Sequence, residues 1–299
     1  MKSNISKKDI ESGKNIIKLL AQKNPKLLPH QLQEIISGYK KFSVSLEKFG
    51  IWTSPKARSK KFKQKYSKVI LLFSGVTAGG KDAIREEIET LAPNLFKKTV
   101  TSTSRPPREG EIEGKDYFFF ESSKSFRSSI KNQEFLEYIK RGEHFYGLPK
   151  KSLDEALISN SPVVYTQIEM SGWSKTEKYL NTISQSQTLI LKVFVLPDMN
   201  FTDYQKWLVE KRTNEDIDIR LAKTGWEIKK APKKADFIVT NRIREDKKFL
   251  NLTAKAIINQ ISEILDFPTF PSFPPEFTID KNLKKSKDIE AILSFHDSI

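Results

Sequence analysis

A short apolar run from Val69 to Phe73 leads into Ser74-Gly75-Val76-Thr77-Ala78-Gly79-Gly80-Lys81-Asp82, and helix-like spacing follows from Ala83 to Leu91. Strand, Gly-x-x-x-x-Gly-Lys turn and helix, in that order, are the setting of a phosphate-binding loop. Glycines let backbone N–H groups curl around an anion with no Cβ in the way, and the helix N-terminus adds the positive end of its dipole. Lys81 adds a mobile positive charge for terminal phosphates. One position departs from the pattern: Asp82 stands where such loops carry a Ser or Thr hydroxyl for Mg²⁺.

From Val69 to about Phe267 the pattern alternates. Strands are predicted at 69–73, 98–102, 117–120, 162–166, 189–196 and 236–240. Helices are predicted at 81–91, 123–131, 150–158, 173–180, 203–210, 215–224 and 245–265. Such alternation predicts an α/β fold, a mostly parallel sheet flanked by helices. Two amphipathic helices, about 9–24 and 30–49, precede it, and the segment 54–68 has seven basic residues and no acid. Residues 1–67 are therefore read as a basic helical extension and linker, 68–266 as the main domain, and 267–299 as a Pro/Phe-rich segment and tail that includes a last helix over 280–299.

Charge separates these regions. Residues 1–68 hold 17 Lys/Arg against four Asp/Glu, out of 52 and 37 in the whole chain, so nearly all of the net +15 is N-terminal. A basic arm of that kind is either a contact for nucleic acid or another anionic surface, or a solubilising segment. The chain has no cysteine, which excludes disulfides and thiolate chemistry, and its three scattered histidines form no metal motif. No apolar run approaches the roughly 18 residues of a membrane span, and the basic N-terminus lacks an apolar signal core. The reading is a cytoplasmic protein.

A second informative stretch is Thr101-Ser102-Thr103-Ser104-Arg105-Pro106-Pro107-Arg108-Glu109-Gly110-Glu111. Two arginines on a proline-stiffened loop, about 25 residues after a phosphate loop, point to a second phosphate, because guanidinium forks bind phosphate oxygens in pairs. Gly114-Lys115-Asp116-Tyr117, then Phe135-Leu136-Glu137 and Tyr146-Gly147 follow in order. With these motifs residues 68–265 resemble the guanylate kinases, nucleoside monophosphate kinases that move a phosphoryl group from ATP to GMP. The resemblance implies a phosphate-loop sheet, a small mixed GMP-binding lobe over about 103–157 and a helical lid over about 203–222. It implies ATP as co-substrate with Mg²⁺.

The resemblance also implies roles. Gly75 to Asp82 would hold the ATP phosphates, with Asn241 near the adenine. Arg105 and Arg108, with Tyr117 and Tyr146, would grip the GMP phosphate, and Arg105 would touch both substrates. Glu137 would read guanine, since a carboxylate accepts from both N1–H and N2–H₂. Thr101, Glu111 and Glu169 match further residues of that pocket. Lys81, Arg105 and the lid arginines Arg212 and Arg220 would stabilise the transferring group.

The chain departs from the family at four places. Asp82 replaces the loop hydroxyl. Gln167 and Glu169 stand where two aspartates are usual. Leu148 replaces a small hydroxyl residue beside the guanine, and the lid is shorter. Asp82 and Gln167 together predict an exchanged Mg²⁺ site, with the acid on the loop, the amide at the strand end and a hydrogen bond between them. Three readings stay open: a GMP kinase, a kinase with an altered acceptor base, and a catalytically impaired binding module of the same fold. Retention of Lys81 favours an enzyme.

Overall fold

A computed structural model describes residues 51–53, 65–183, 187–197, 201–211, 217–241 and 247–273. The helices predicted at 9–24, 30–49 and 280–299 lie outside these residues, as does Arg212.

The core is a six-stranded sheet in the order β1 (Ile51–Thr53), β10 (Phe237–Asn241), β9 (Thr188–Pro197), β2 (Lys68–Gly75), β8 (Val163–Gln167), β3 (Phe96–Lys98). All neighbours pair in parallel except β1, which runs antiparallel to β10. Alternation along β2 divides the apolar core. Ile70 and Leu72 join Phe194, Trp173, Tyr204, Leu221 and Ile228 on one face. Val69, Leu71 and Phe73 join Ile84, Ile88, Val193, Ile257 and Ile261 on the other. A central parallel strand buried on both faces must be apolar throughout, which is why 69–73 reads as an unbroken hydrophobic run.

The helices are α1 (Lys81–Leu91), α2 (Ser123–Lys131), α3 (Lys150–Leu157), α4 (Trp173–Ile183), α5 (Phe201–Lys211), α6 (Ile217–Lys234) and α7 (Lys247–Ser262). Helix α6 runs ten residues past the predicted end at 224. Gly225 and Pro232 lower the local helix propensity, but Leu221, Ile228 and Ala231 bury one stripe of the helix against the sheet. Packing of that stripe outweighs the weak local propensity.

The predicted strand at 98–102 is two strands in two sheets. β3 stops at Lys98, and β4 (Thr101–Thr103) belongs to a smaller sheet ordered β5 (Tyr117–Phe119), β4, β7 (His144–Pro149), β6 (Phe135–Arg141). The β6–β7 hairpin was not predicted, because β6 buries only Glu137 and so lacks an apolar alternation.

The main unit also takes in residues read as lying outside it. β1 forms its sheet edge, and Tyr66 and Leu265 close it with two backbone bonds, Tyr66 N–H to Ile264 O at 3.1 Å and Asp266 N–H to Tyr66 O at 2.8 Å. Phe270 packs on Phe96, and Asn259 holds the Phe273 backbone through both its amide oxygen and its amide nitrogen.

Candidate active site

β2 and β8 end at a cavity of about 370 Å³ that also receives the small sheet and α6. At one side lies the glycine-rich loop. Gly80 adopts a left-handed backbone (φ +80°) as the N-cap of α1, a conformation that favours glycine. Ala78 is also left-handed (φ +54°), a cost its fixed surroundings must offset.

Three consecutive loop carbonyls are tied back. Tyr204 donates to Thr77 O at 2.6 Å, Trp207 Nε1 to Ala78 O at 3.0 Å, and Asn241 Nδ2 to Gly79 O at 3.2 Å. In a planar trans peptide the N–H points opposite to the C=O. The amides of Ala78, Gly79 and Gly80 are thereby turned away from these donors. Asn241, like the buried Val76, does not line the cavity, and it holds the loop from behind.

Lys81 Nζ donates to Gly75 O at 3.1 Å and Val76 O at 2.8 Å. Burial lowers its pKa, against the pull of Asp82 and Glu227. Gln167 Nε2 donates to Asp82 Oδ1 at 3.0 Å, the hydrogen bond predicted from the paired departures. Arg220, on α6, donates to Thr77 Oγ1 at 3.2 Å. Among the described residues no cluster of three or more His, Asp or Glu is placed to hold a metal ion. Asp82 nevertheless offers a carboxylate, the donor chemistry a hard cation takes, beside a Gln167 amide whose nitrogen faces it.

The opposite side is built by the small sheet. Glu111 gathers the two-arginine loop: both its oxygens accept from Arg105 Nη2 at 2.9 Å, and one accepts from the Arg108 N–H at 2.8 Å. The Arg105 guanidinium lies 5.6 Å from the Tyr117 ring centroid, and Tyr117 meets Tyr146 edge-on at 6.3 Å. Thr101 stands opposite Tyr117 in the register and lines the same cavity.

Glu137 is 7% exposed and lines the cavity from β6. Burial, reinforced by the nearby charge of Glu169, pushes its carboxyl up to about 7. It rests on the Gly172 backbone so closely that a Cβ there would meet Glu137 Cγ at 2.8 Å. Leu148, one strand over, is fully buried in the apolar core and does not line the cavity.

Glu169 sits between the two sides and accepts from Arg141 Nη2 and Lys223 Nζ. Burial disfavours its charge, but Lys223 and Arg141 hold its pKa well below the usual carboxylate range. Lys223 also lies 3.8 Å from Glu227 Oε1. Sequence reasoning missed Arg141, Lys223 and Glu227. Strand period places Arg141 on the same face as Glu137, four residues on, and helix period places Lys223 and Glu227 beside Arg220. The strand signal was unusable while β6 was unassigned, and Glu227 lies beyond the predicted helix end at 224, whereas Lys223 lay within that helix, three residues from Arg220, and was overlooked.

Thus Gly75, Thr77 to Asp82, Thr101, Arg105, Arg108, Glu111, Tyr117, Glu137, Tyr146, Gln167, Glu169 and Arg220 share one cavity.

The guanylate kinase family model matches residues 66–249. Guanylate kinase of the Aster yellows witches'-broom phytoplasma (strain AYWB) is 31% identical over 177 residues, covering 58% of this chain and 78% of that protein. Guanylate kinase of Wolbachia pipientis wMel is 32% identical over 176 residues, covering 58% and 82%. The crystal structure of guanylate kinase from Anaplasma phagocytophilum aligns over 75% of this chain and 96% of that one, at 20% identity and a TM-score of 0.45.

Proposed function

Because the chain belongs to the guanylate kinase family, we propose that it transfers the terminal phosphoryl group of ATP to GMP. The observation that carries this reading is the cavity itself, with a lysine-bearing phosphate loop at one side and a paired-arginine, buried-carboxylate pocket at the other. Two phosphate sites facing one another suit in-line transfer between two nucleotides.

The loop amides and Lys81 bind the ATP phosphates, and Arg220 adds charge from α6. Arg105 and Arg108 release Glu111 to take the GMP phosphate, with the Tyr117 and Tyr146 hydroxyls alongside. Glu137, ionised, accepts from guanine N1–H and N2–H₂, a donor pair that adenine lacks. Leu148, the cross-strand partner of Glu137, is buried among apolar side chains and offers the base no hydrogen bond. The acceptor phosphate is already an anion, so the transfer needs no strong general base. Asn241 acts indirectly, by orienting the loop.

Asp82 and Gln167 would hold Mg²⁺ together with the ATP phosphates, and the ion when bound neutralises phosphate charge. The exchange predicts that Asp82→Ser and Gln167→Asp each lower activity more than the double substitution does, and that Mn²⁺ affinity in the presence of ADP follows the same order. Additive losses would discard the exchange.

The decisive experiment is ADP formation from ATP·Mg²⁺ with GMP, dGMP, AMP, CMP and UMP in parallel, with Lys81→Ala as control. Turnover with GMP that disappears in the control supports the proposal. Turnover with another base only moves the acceptor. No turnover alongside retained GMP binding points instead to a binding module. The described residues contain no helix long and apolar enough to cross a membrane. For the basic N-terminal arm we propose an anionic surface such as RNA as partner. Salt-dependent RNA binding should weaken on deletion of residues 1–50, a cut that spares β1 and leaves the basic segment 54–68.

A further inference from the structure

The two sides of the cavity are joined by a chain of contacts that the phosphate loop and the acceptor pocket do not themselves require. Thr77 of the loop accepts from Arg220 at 3.2 Å. Three residues on, Lys223 projects from the same helix and donates to Glu169. Positions three apart share one helix face, so α6 presents one cation to the ATP loop and the next to the far side. Glu169, at the end of the β8 connection, also takes Arg141 from β6. The Arg141 guanidinium lies 5.3 Å from the Tyr146 ring centroid, and Tyr146 belongs to the proposed GMP-phosphate pocket.

We propose that Arg141, Glu169 and Lys223 form a relay that makes binding of the acceptor nucleotide and binding of ATP mutually dependent, with Arg141 and Lys223 as positioning residues. The inference rests on the reading of the cavity as a two-nucleotide site.

The charge arrangement suits a relay better than a simple brace. The Glu169 side chain is 11% exposed, whereas Arg141 and Lys223 are 42% and 39% exposed. A buried acid is therefore held by two half-exposed cations from different elements, one on β6 and one on α6. Neither cation can move without leaving Glu169 with half its compensation, and a buried charge that loses a partner is costly. An acceptor that displaces Arg141, through Tyr146 or directly, therefore tightens the demand of Glu169 on Lys223. That pull sets the position of α6 and with it Arg220 on the ATP loop. Linkage then requires the reverse effect, in which ATP strengthens acceptor binding by the same factor.

The test uses the full chain and calorimetric binding, not turnover. GMP affinity is measured with and without a non-hydrolysable ATP analogue and Mg²⁺, for the wild type, Arg141→Met, Lys223→Met, the double variant and Arg141→Lys. The wild type should bind GMP about tenfold more tightly when the analogue is present. Each Met variant should lose most of that factor, and Arg141→Met, which removes the partner the acceptor would displace, should bind the ATP analogue alone more tightly than the wild type does. The double variant should lose no more than either single one, because the residues act in series. Arg141→Lys should recover part of the coupling.

Absence of coupling in the wild type, full coupling in either Met variant, or an equal loss of single-nucleotide binding in both would overturn the relay. A wild type that binds both nucleotides with coupling but transfers no phosphoryl group would instead fail the kinase reading and leave the relay standing.

Discussion

On one side of the cavity, seven residues of the single stretch Gly75 to Asp82, all but the inward-turned Val76, supply most of the lining; on the other, Thr101, Arg105, Tyr117, Glu137, Tyr146 and Glu169 arrive from separate strands and loops. On the proposed reading the loop would bind mostly through its own backbone, so its side chains would matter less than its conformation, apart from Lys81. The far pocket would bind through side chains, each placed by a different piece of chain and supported by neighbours such as Glu111 and Gly172. A contiguous site tolerates change around it. A dispersed one is sensitive to any shift among its supports.

The sharpest separation of the two sides is Lys81→Ala. It should reduce turnover by about 10³-fold, with GMP affinity within about threefold of the wild type by calorimetry. An equal loss of GMP binding would erase the distinction between the sides.

Next in size is Glu137→Gln, which should raise the KM for GMP by about 10²-fold, leaving the KM for ATP in place, since one carboxylate oxygen becomes a mismatched amide. This change also has a pH signature. Burial holds Glu137 protonated up to about pH 7 in the folded protein. GMP affinity of the wild type should therefore fall as the pH drops below 7, a dependence that Glu137→Gln removes. Stability runs the other way. A carboxyl whose folded pKa is raised costs stability as the pH climbs from its ordinary range to 7, by about 3 kcal/mol once fully ionised. Glu137→Gln should accordingly melt higher than the wild type at pH 8 and equally at pH 4.5. Equal melting at both pH values would contradict the burial argument.

Gly172→Ala probes the support behind that carboxylate. Its Cβ would press on Glu137 Cγ at 2.8 Å. We expect about a tenfold rise in the KM for GMP, with no change for ATP and no gain of AMP turnover. The smallest effect expected is for Trp207→Phe, which removes the donor to Ala78 O. A loss of about 1 kcal/mol should weaken ATP binding about fivefold and spare GMP, the mirror image of Gly172→Ala.

Legibility in sequence followed the same division. The phosphate loop, α1 and the buried central strands stood out because their signals are local: a glycine spacing, a helical period and an apolar run bounded by turns. The Asp82–Gln167 hydrogen bond was also foreseeable, because two departures in a known pattern were read together. Arg105 and Arg108 stood out as a pair of guanidinium forks on a proline-stiffened loop, whereas Glu137 was found through the order of motifs, not through any property of the single residue. The β6–β7 hairpin, the second half of α6 and the joining of β1 to the sheet edge carried no local signal.

The amino-acid sequence by itself determined the α/β class, the phosphate loop and the kinase family, because each rests on residue types at fixed short spacings. Only the tertiary structure decided that Leu148 turns into the core, that Asn241 supports the loop from behind, and that Arg141 and Lys223 converge on Glu169. Those outcomes depend on which strand face is buried and on which charges two distant elements bring together. Long-range packing sets both, and no short stretch of chain encodes either.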